Sequence, residues 1–155
     1  LPFCIGVAGY PEKHPEAHDM ATDIRHLKSK IDAGASYVVT QMFFRTSVYR
    51  NYVTQCRDAG ISVPIIPGLK ILSVKDHLQV LPKRFALTLP DTLVNTVQRA
   101  SSNEEVAALG IEWASQQVEE LFTYGVPGVH FYVMQNSRHI VQLMEKLSAR
   151  GLVKF

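Results

Sequence analysis

Four short apolar runs, each followed by a helical pattern, leave this chain few folds to choose from. The runs cover residues 3–8, 37–44, 63–67 and 129–133. Each is nearly continuous rather than alternating, the pattern of strands buried on both faces in a parallel sheet covered by helices. The helical stretches are well punctuated. Ala21, Ile24, Leu27 and Ile31 recur at helical spacing and stop at Gly34, a C′ glycine. Thr46 stands where it would N-cap a second helix, whose Val48, Tyr49, Tyr52, Val53 and Cys56 make one face, closed by Gly60. Ser102 with Glu105 three residues on forms a capping box for a long helix ending at Gly125. Val106, Leu109, Trp113, Val118, Leu121 and Phe122 face inward there, and Trp113 is read as core. Asn136 or Ser137 caps the last helix, with Ile140, Val141, Leu143, Met144 and Leu147 ahead of Gly151. The stretch 71–101, with Pro82 and Pro90, reads as an elaboration of the third βα unit holding short helices near 74–81 and 91–97.

Length and composition narrow the class further. The 155 residues suffice for one ordinary domain and are too few for two. With 46% hydrophobic and 19% charged residues, a disordered or coiled-coil chain is excluded. A net charge of +2 is too small to argue for a nucleic-acid surface. Cys4 and Cys56 form no CxxC, and the histidines have no ligand-like spacing, so no disulfide framework and no metal site is expected. No apolar run approaches the roughly 18–20 residues that cross a bilayer, and no signal-peptide layout opens the chain. A cytoplasmic setting without a membrane partner is expected. The chain opens at Leu1, within an apolar stretch and without an initiator Met, and reads as a piece of something longer.

Four successive βα units allow a small doubly wound sheet or half of a (β/α)8 barrel. A full barrel takes about 250 residues, so four elaborated units fit this length. The phosphate-binding patterns GxGxxG and GxxxxGK[ST] of doubly wound sheets are absent. The expected fold class is therefore α/β, the second half of a (β/α)8 TIM barrel, with the chain as a single segment.

Binding chemistry in parallel α/β proteins lies at the carboxyl ends of the strands. There the sequence places Tyr10, Pro11, His14 and Pro15 after the first run and Thr40-Gln41 in the second. Pro67-Gly68 ends the third, and His130-Phe131-Tyr132 belongs to the fourth. Two prolines stiffen the first loop around Tyr10, His14 and Glu16. The next helix presents Asp23, His26 and Lys30 at spacings of three and four. An aromatic ring, an imidazole, a carboxylate and an ammonium suit a dinucleotide; a solvated helix face with an Asp–Lys pair gives the same spacing. His130 is read as a strand imidazole bonded to a neighbour.

These residues resemble a known family. Ala8-Gly9-Tyr10-Pro11-Glu12-Lys13-His14-Pro15-Glu16-Ala17, then 27–35, Val39-Thr40-Gln41-Met42-Phe43-Phe44, 56–61, Pro64-Ile65-Ile66-Pro67-Gly68 and His130-Phe131-Tyr132 are similar, in order and spacing, to motifs of methylenetetrahydrofolate reductase. The wording of the first motif is eukaryotic-like, and the match is weakest over 70–101. The resemblance implies a (β/α)8 flavoprotein of which this is the C-terminal half. It implies FAD as cofactor, NADPH or NADH as co-substrate, and reduction of 5,10-methylenetetrahydrofolate to 5-methyltetrahydrofolate. It further implies FAD contacts at Tyr10, His14, Ala17, Asp23, His26, Ser29 and Lys30. Substrate contacts are implied at Gln41, Tyr132, Met134 and Arg138. No catalytic acid or base is assigned, because no segment here matches the family's proton-donating glutamate or its flavin-side aspartate. His77 falls near a position that binds folate in some members of the family, but in the poorly matched stretch, and is left aside. The implied partners are a folate substrate, further copies of the chain and the remainder of the same polypeptide. A flavin-free interaction module on this scaffold, and a different nucleotide-binding enzyme with a self-sufficient sheet, remain the alternatives.

Overall fold

The computed structural model describes residues 3–133 and 137–153. Ten elements follow one another: β1 (Gly6–Gly9), α1 (Met20–Asp32), β2 (Tyr37–Met42), α2 (Thr46–Asp58), β3 (Ile65–Leu69), α3 (His77–Phe85), α4 (Asp91–Arg99), α5 (Asn103–Tyr124), β4 (His130–Phe131) and α6 (Arg138–Ala149). The strands lie in the order β1-β2-β3-β4, and every pairing is parallel. That order separates the two architectures left open by sequence. A doubly wound sheet reverses direction at a switch point so that its helices fall on both faces. Here each strand is added on the same side of the last, and right-handed crossovers then lay every connecting helix on one face. The result is an α/β fold consistent with a partial (β/α)8 barrel.

This winding corrects the expectation of strands buried on both faces. In β2, buried Val38, Thr40 and Met42 alternate with half-buried Tyr37, Val39 and Gln41, and Gly6 and Ala8 of β1 are exposed. Phe3 and Ile5, expected in the first strand, precede β1 and are 86% and 50% exposed. In β1 and β2 only one face is sealed, whereas β3 buries Pro67, Gly68 and Leu69 in succession.

The sealed face carries the main core. Ile24 and Leu27 of α1, Tyr49, Tyr52, Val53 and Cys56 of α2, Val38, Ile65 and Leu69 of the sheet, Val118 and Leu121 of α5, and Leu143 and Leu147 of α6 form one cluster. A second cluster joins Met42 and Phe44 to Leu72, Leu81, Leu87, Leu93, Val97 and Val106. Residues 71–101 are thus an elaboration packed onto the third unit. Trp113 is half-buried beside this second cluster, and its indole N–H donates to the Phe44 carbonyl at 3.1 Å.

Helix ends follow the sequence in part. Gly34, Gly60, Gly125 and Gly151 all take positive φ just past a helix, a conformation that a Cβ disfavours. Ser102 Oγ accepts the Glu105 N–H at 3.2 Å, while the Glu105 carboxylate returns to Ser101 instead of to the cap itself. Thr46 is the first residue of α2 and not its cap; its hydroxyl pairs with Glu120 on α5. Asp19 caps α1, accepting the Thr22 N–H at 2.7 Å. That bond and the neighbouring His18 hold its carboxyl well below the usual range. Ser137 precedes α6 without a side-chain cap bond, and Asn136 lies outside the described residues.

The buried face of α2 has a consequence at alkaline pH. Burial pushes the Cys56 thiol from 9.0 up to about 11 and raises the phenols of Tyr49 and Tyr52 as well. The unfolded chain gives up these protons first, so in alkali the native state binds more protons than the unfolded one. The stability they contribute is whole below pH 9 and drains away as pH rises toward 11 and beyond. For Cys56 the loss is on the order of 2 kcal/mol. Urea unfolding followed across this range should show the decline, and Cys56→Ala should flatten its first part.

Candidate functional site

The loop from Tyr10 to Ala17 leaves β1 and is tied down almost entirely by its own polar groups. The Lys13 N–H closes a turn on the Tyr10 carbonyl at 2.9 Å, with Lys13 at a φ of 75°. The ammonium of Lys13 reaches the carbonyls of His14 and Ala17 at 2.9 and 2.6 Å. Asp23, in the first turn of α1, accepts the His14 N–H at 2.9 Å. The Glu16 N–H donates to His14 Nδ1 at 3.2 Å, which leaves the ring proton on Nε2. Tyr10 and His14 meet edge to face at 4.6 Å. Glu12 reaches away from this group, both its oxygens accepting from the Thr88 N–H and hydroxyl. The structure therefore brings Tyr10, His14, Ala17 and Asp23 into one fixed unit.

The other expected cofactor residues lie further along α1. Lys30 stands seven residues beyond Asp23, about 10 Å down the helix. His26, Ser29 and Lys30 are all exposed. Ser29 spends its hydroxyl on the Arg25 carbonyl at 3.1 Å. Lys30 has no ion-pair partner among the described residues; the Lys–Asp pair of this helix joins Lys28 to Asp32 instead. An extended ligand with an anionic group can run from the aromatic loop to this ammonium; a small one cannot touch both.

A second feature opens at the carboxyl ends of β2, β3 and β4. It is a cleft of about 1050 Å³ lined by Gln41, Lys70, His77, Tyr132, Arg138 and Lys146, among others. Gln41 Oε1 accepts the Met42 N–H at 2.9 Å, which fixes the amide. Tyr132 reaches across β3 to donate its hydroxyl to the Thr40 carbonyl at 2.9 Å. The ring passes over Gly68, whose N–H donates to Thr40 Oγ1 at 2.9 Å. Burial raises the Tyr132 phenol, and Tyr10 adds to the effect.

Of the expected substrate residues, Gln41, Tyr132 and Arg138 line this one cleft, and Met134 lies outside the described residues. His130 differs from expectation. It is exposed, with its ring edge-on to Tyr132 at 4.7 Å, because β4 is a two-residue strand at the sheet's edge. Among the further lining residues are His77, left aside from sequence in the poorly matched stretch, and Lys70, not picked out at all. Lys70 follows β3 directly, and a lysine interrupting an apolar run just after Pro-Gly was the available signal. The Ser73 N–H donates to His77 Nδ1 at 3.2 Å. Burial and the Lys70 charge, against a weaker pull from Asp76, hold the imidazole below its ordinary value.

A singly wound parallel sheet with helices on one face and a ligand cleft at its strand ends defines a partial (β/α)8 barrel protein. A family model described as methylenetetrahydrofolate reductase matches residues 2–148. The chain belongs to the methylenetetrahydrofolate reductase family. It is 35% identical to the 5,10-methylenetetrahydrofolate reductase of Escherichia coli over 96% of this chain and 50% of that protein. It is 34% identical to methylenetetrahydrofolate reductase (NADH) 1 of Arabidopsis thaliana over 94% of this chain and 26% of that protein. The chain thus spans between about a quarter and a half of these relatives' length. Among solved structures, a Clostridium thermocellum protein that binds two copies of 5-methyl-5,6,7,8-tetrahydrofolic acid shares the fold. Its TM-score is 0.61 at 17% identity, over 95% of this chain and 54% of that one.

Proposed function

We propose that this chain is the C-terminal half of the catalytic barrel of a methylenetetrahydrofolate reductase, carrying its cofactor loop and much of its substrate cleft. The remainder of the polypeptide closes the barrel. FAD held there would supply the redox chemistry for hydride transfer from NADH or NADPH to 5,10-methylenetetrahydrofolate, giving 5-methyltetrahydrofolate. The donor set fits such a group: the Tyr10–His14 ring pair offers a stacking edge, and Lys30, about 10 Å along α1, offers an ammonium with no ion-pair partner among the described residues. Gln41 lines the cleft with its oxygen held by the Met42 N–H, which leaves its amide N–H groups to suit the amide-like edge of a pterin or a nicotinamide. Arg138 supplies a cation at the same cleft for the acidic end of a folate.

The single observation that carries this reading is that Gln41, Tyr132 and Arg138, from separate βα units, line one cleft at the carboxyl ends of the strands. No residue of this segment takes the acid role. Glu12, within the loop, is occupied by Thr88. A folate partner, homo-oligomeric assembly and a cytoplasmic setting complete the reading.

The test has two parts. The full-length protein should be yellow and oxidise NADH or NADPH with menadione as acceptor, and this segment alone should not turn over. Robust turnover by the segment would refute the half-barrel reading, and a colourless full-length protein would refute the flavin. In addition, Asp23→Ala removes the acceptor of the His14 N–H. A hydrogen bond to a carboxylate is worth about 1.5–3 kcal/mol, so FAD affinity should fall between about tenfold and a hundredfold. Fluorescence titration with FAD reads this directly.

A further inference from the structure

Lys70 has no ion-pair partner among the described residues, in a place where charge is costly. It stands immediately after β3, half-buried, and lines the cleft together with Gln41 and Tyr132. Burial opposes its protonated form. Its recorded polar contact is a long 3.5 Å approach of Nζ to the Tyr132 carbonyl. Among the described residues no carboxylate comes within ion-pair distance of it. Other charged groups of the cleft are differently disposed. Lys146 is paired with Glu112, the Arg84 guanidinium lies 5.6 Å above the Phe85 ring, and Glu104 and Arg138 are exposed at the ends of α5 and α6. His77, at the start of α3, adds a neutral donor: with Nδ1 occupied by the Ser73 N–H, its proton sits on Nε2. An ammonium and an imidazole N–H in one cleft make a donor set for an anionic oxygen.

We propose that Lys70 is a specificity-determining contact of the cleft, holding a carboxylate or phosphate oxygen of the bound molecule with the Nε2–H of His77 as second donor. The inference rests on the reading that this cleft takes a folate and a reduced nicotinamide nucleotide. The first brings glutamate carboxylates and the second phosphates, and binding measurements distinguish them.

The experiment measures equilibrium binding of 5-methyltetrahydrofolate, of NADPH and of a tetrahydropterin lacking the glutamate tail. It uses the full-length protein, as wild type, Lys70→Met and Lys70→Arg, with thermal melting alongside. Lys70→Met should weaken 5-methyltetrahydrofolate, NADPH or both by about tenfold or more, Lys70→Arg should recover most of it, and the melting temperature should not fall. A loss with the folate that is absent with the tailless pterin assigns the anion to the carboxylates; a loss confined to NADPH assigns it to the phosphates. Binding of both ligands to Lys70→Met within about twofold of wild type overturns the proposal and leaves the function standing. An equal loss with the tailless pterin also overturns it, since no anion is then being read. Failure of the wild type to bind either ligand overturns the functional reading, and this inference with it.

Discussion

Gly68→Ala is expected to lower stability by about 1–3 kcal/mol and to weaken folate binding at the same time. A Cβ at this position falls 2.1 Å from the Thr40 carbonyl oxygen and 2.7 Å from the Tyr132 ring. The first neighbour is the backbone of the adjacent strand, held in place by parallel pairing and by the bond from the Gly68 N–H to the Thr40 hydroxyl. It cannot yield without disturbing the sheet where β2 and β3 already shift register. The second neighbour can yield only if Tyr132 swings off Thr40 and gives up its hydrogen bond. Either movement reshapes the wall of the cleft. A chain of this size loses roughly 2–4 °C of melting temperature per kcal/mol, so thermal melting and titration with 5-methyltetrahydrofolate should report the change together. Tyr132→Phe keeps the ring over Gly68 and removes only the hydroxyl, so it should cost about 1 kcal/mol. If Gly68→Ala melts and binds like the wild type, the crossing of Tyr132 over β3 is not the constraint described here.

Tyr52→Ala carries the larger cost in stability, about 3–5 kcal/mol. The side chain is 1% exposed in the main core. Its hydroxyl lies directly under Gly9, 2.4 Å from where a Cβ on that residue would sit, and against the backbone of Tyr10. Removing the ring opens a cavity between α2 and the sheet and takes away the floor on which the cofactor loop begins. Urea unfolding should show the midpoint shift, and flavin affinity should fall because the loop has lost its support. Tyr52→Phe separates the two effects. It keeps the packing and removes the hydroxyl, so the midpoint should move by about 1 kcal/mol while the loop loses its polar anchor. A stability loss in Tyr52→Ala with undiminished flavin binding would show that the loop is held by Asp23 and Lys13 alone.

The positions of the elements were legible from residue pattern because helices and strands are local. Ile24 and Leu27, or Tyr49, Tyr52, Val53 and Cys56, recur at helical spacing, and glycines at positive φ close the helices. Thr46 shows where local reading ends. A threonine before a helical run is a good cap, but Glu120, 74 residues away, competes for its hydroxyl and Arg45 takes the cap position. His130 shows the same limit in burial. An apolar run does not say whether it becomes a central strand or a two-residue edge.

Sequence alone determined that four βα units follow one another, that their carboxyl ends carry Tyr10, His14, Gln41 and Tyr132, and that the motifs belong to one family. Those properties depend on side-chain chemistry and near neighbours along the chain. Only the tertiary structure decided that the strands are added in a single direction, leaving one sheet face open, and that Tyr132 crosses Gly68 to reach Thr40. It alone also placed Lys70 in the cleft beyond the reach of any described carboxylate. Each of these relations joins residues from separate βα units, and their distance in space is set by winding and curl of the sheet, which no local pattern encodes.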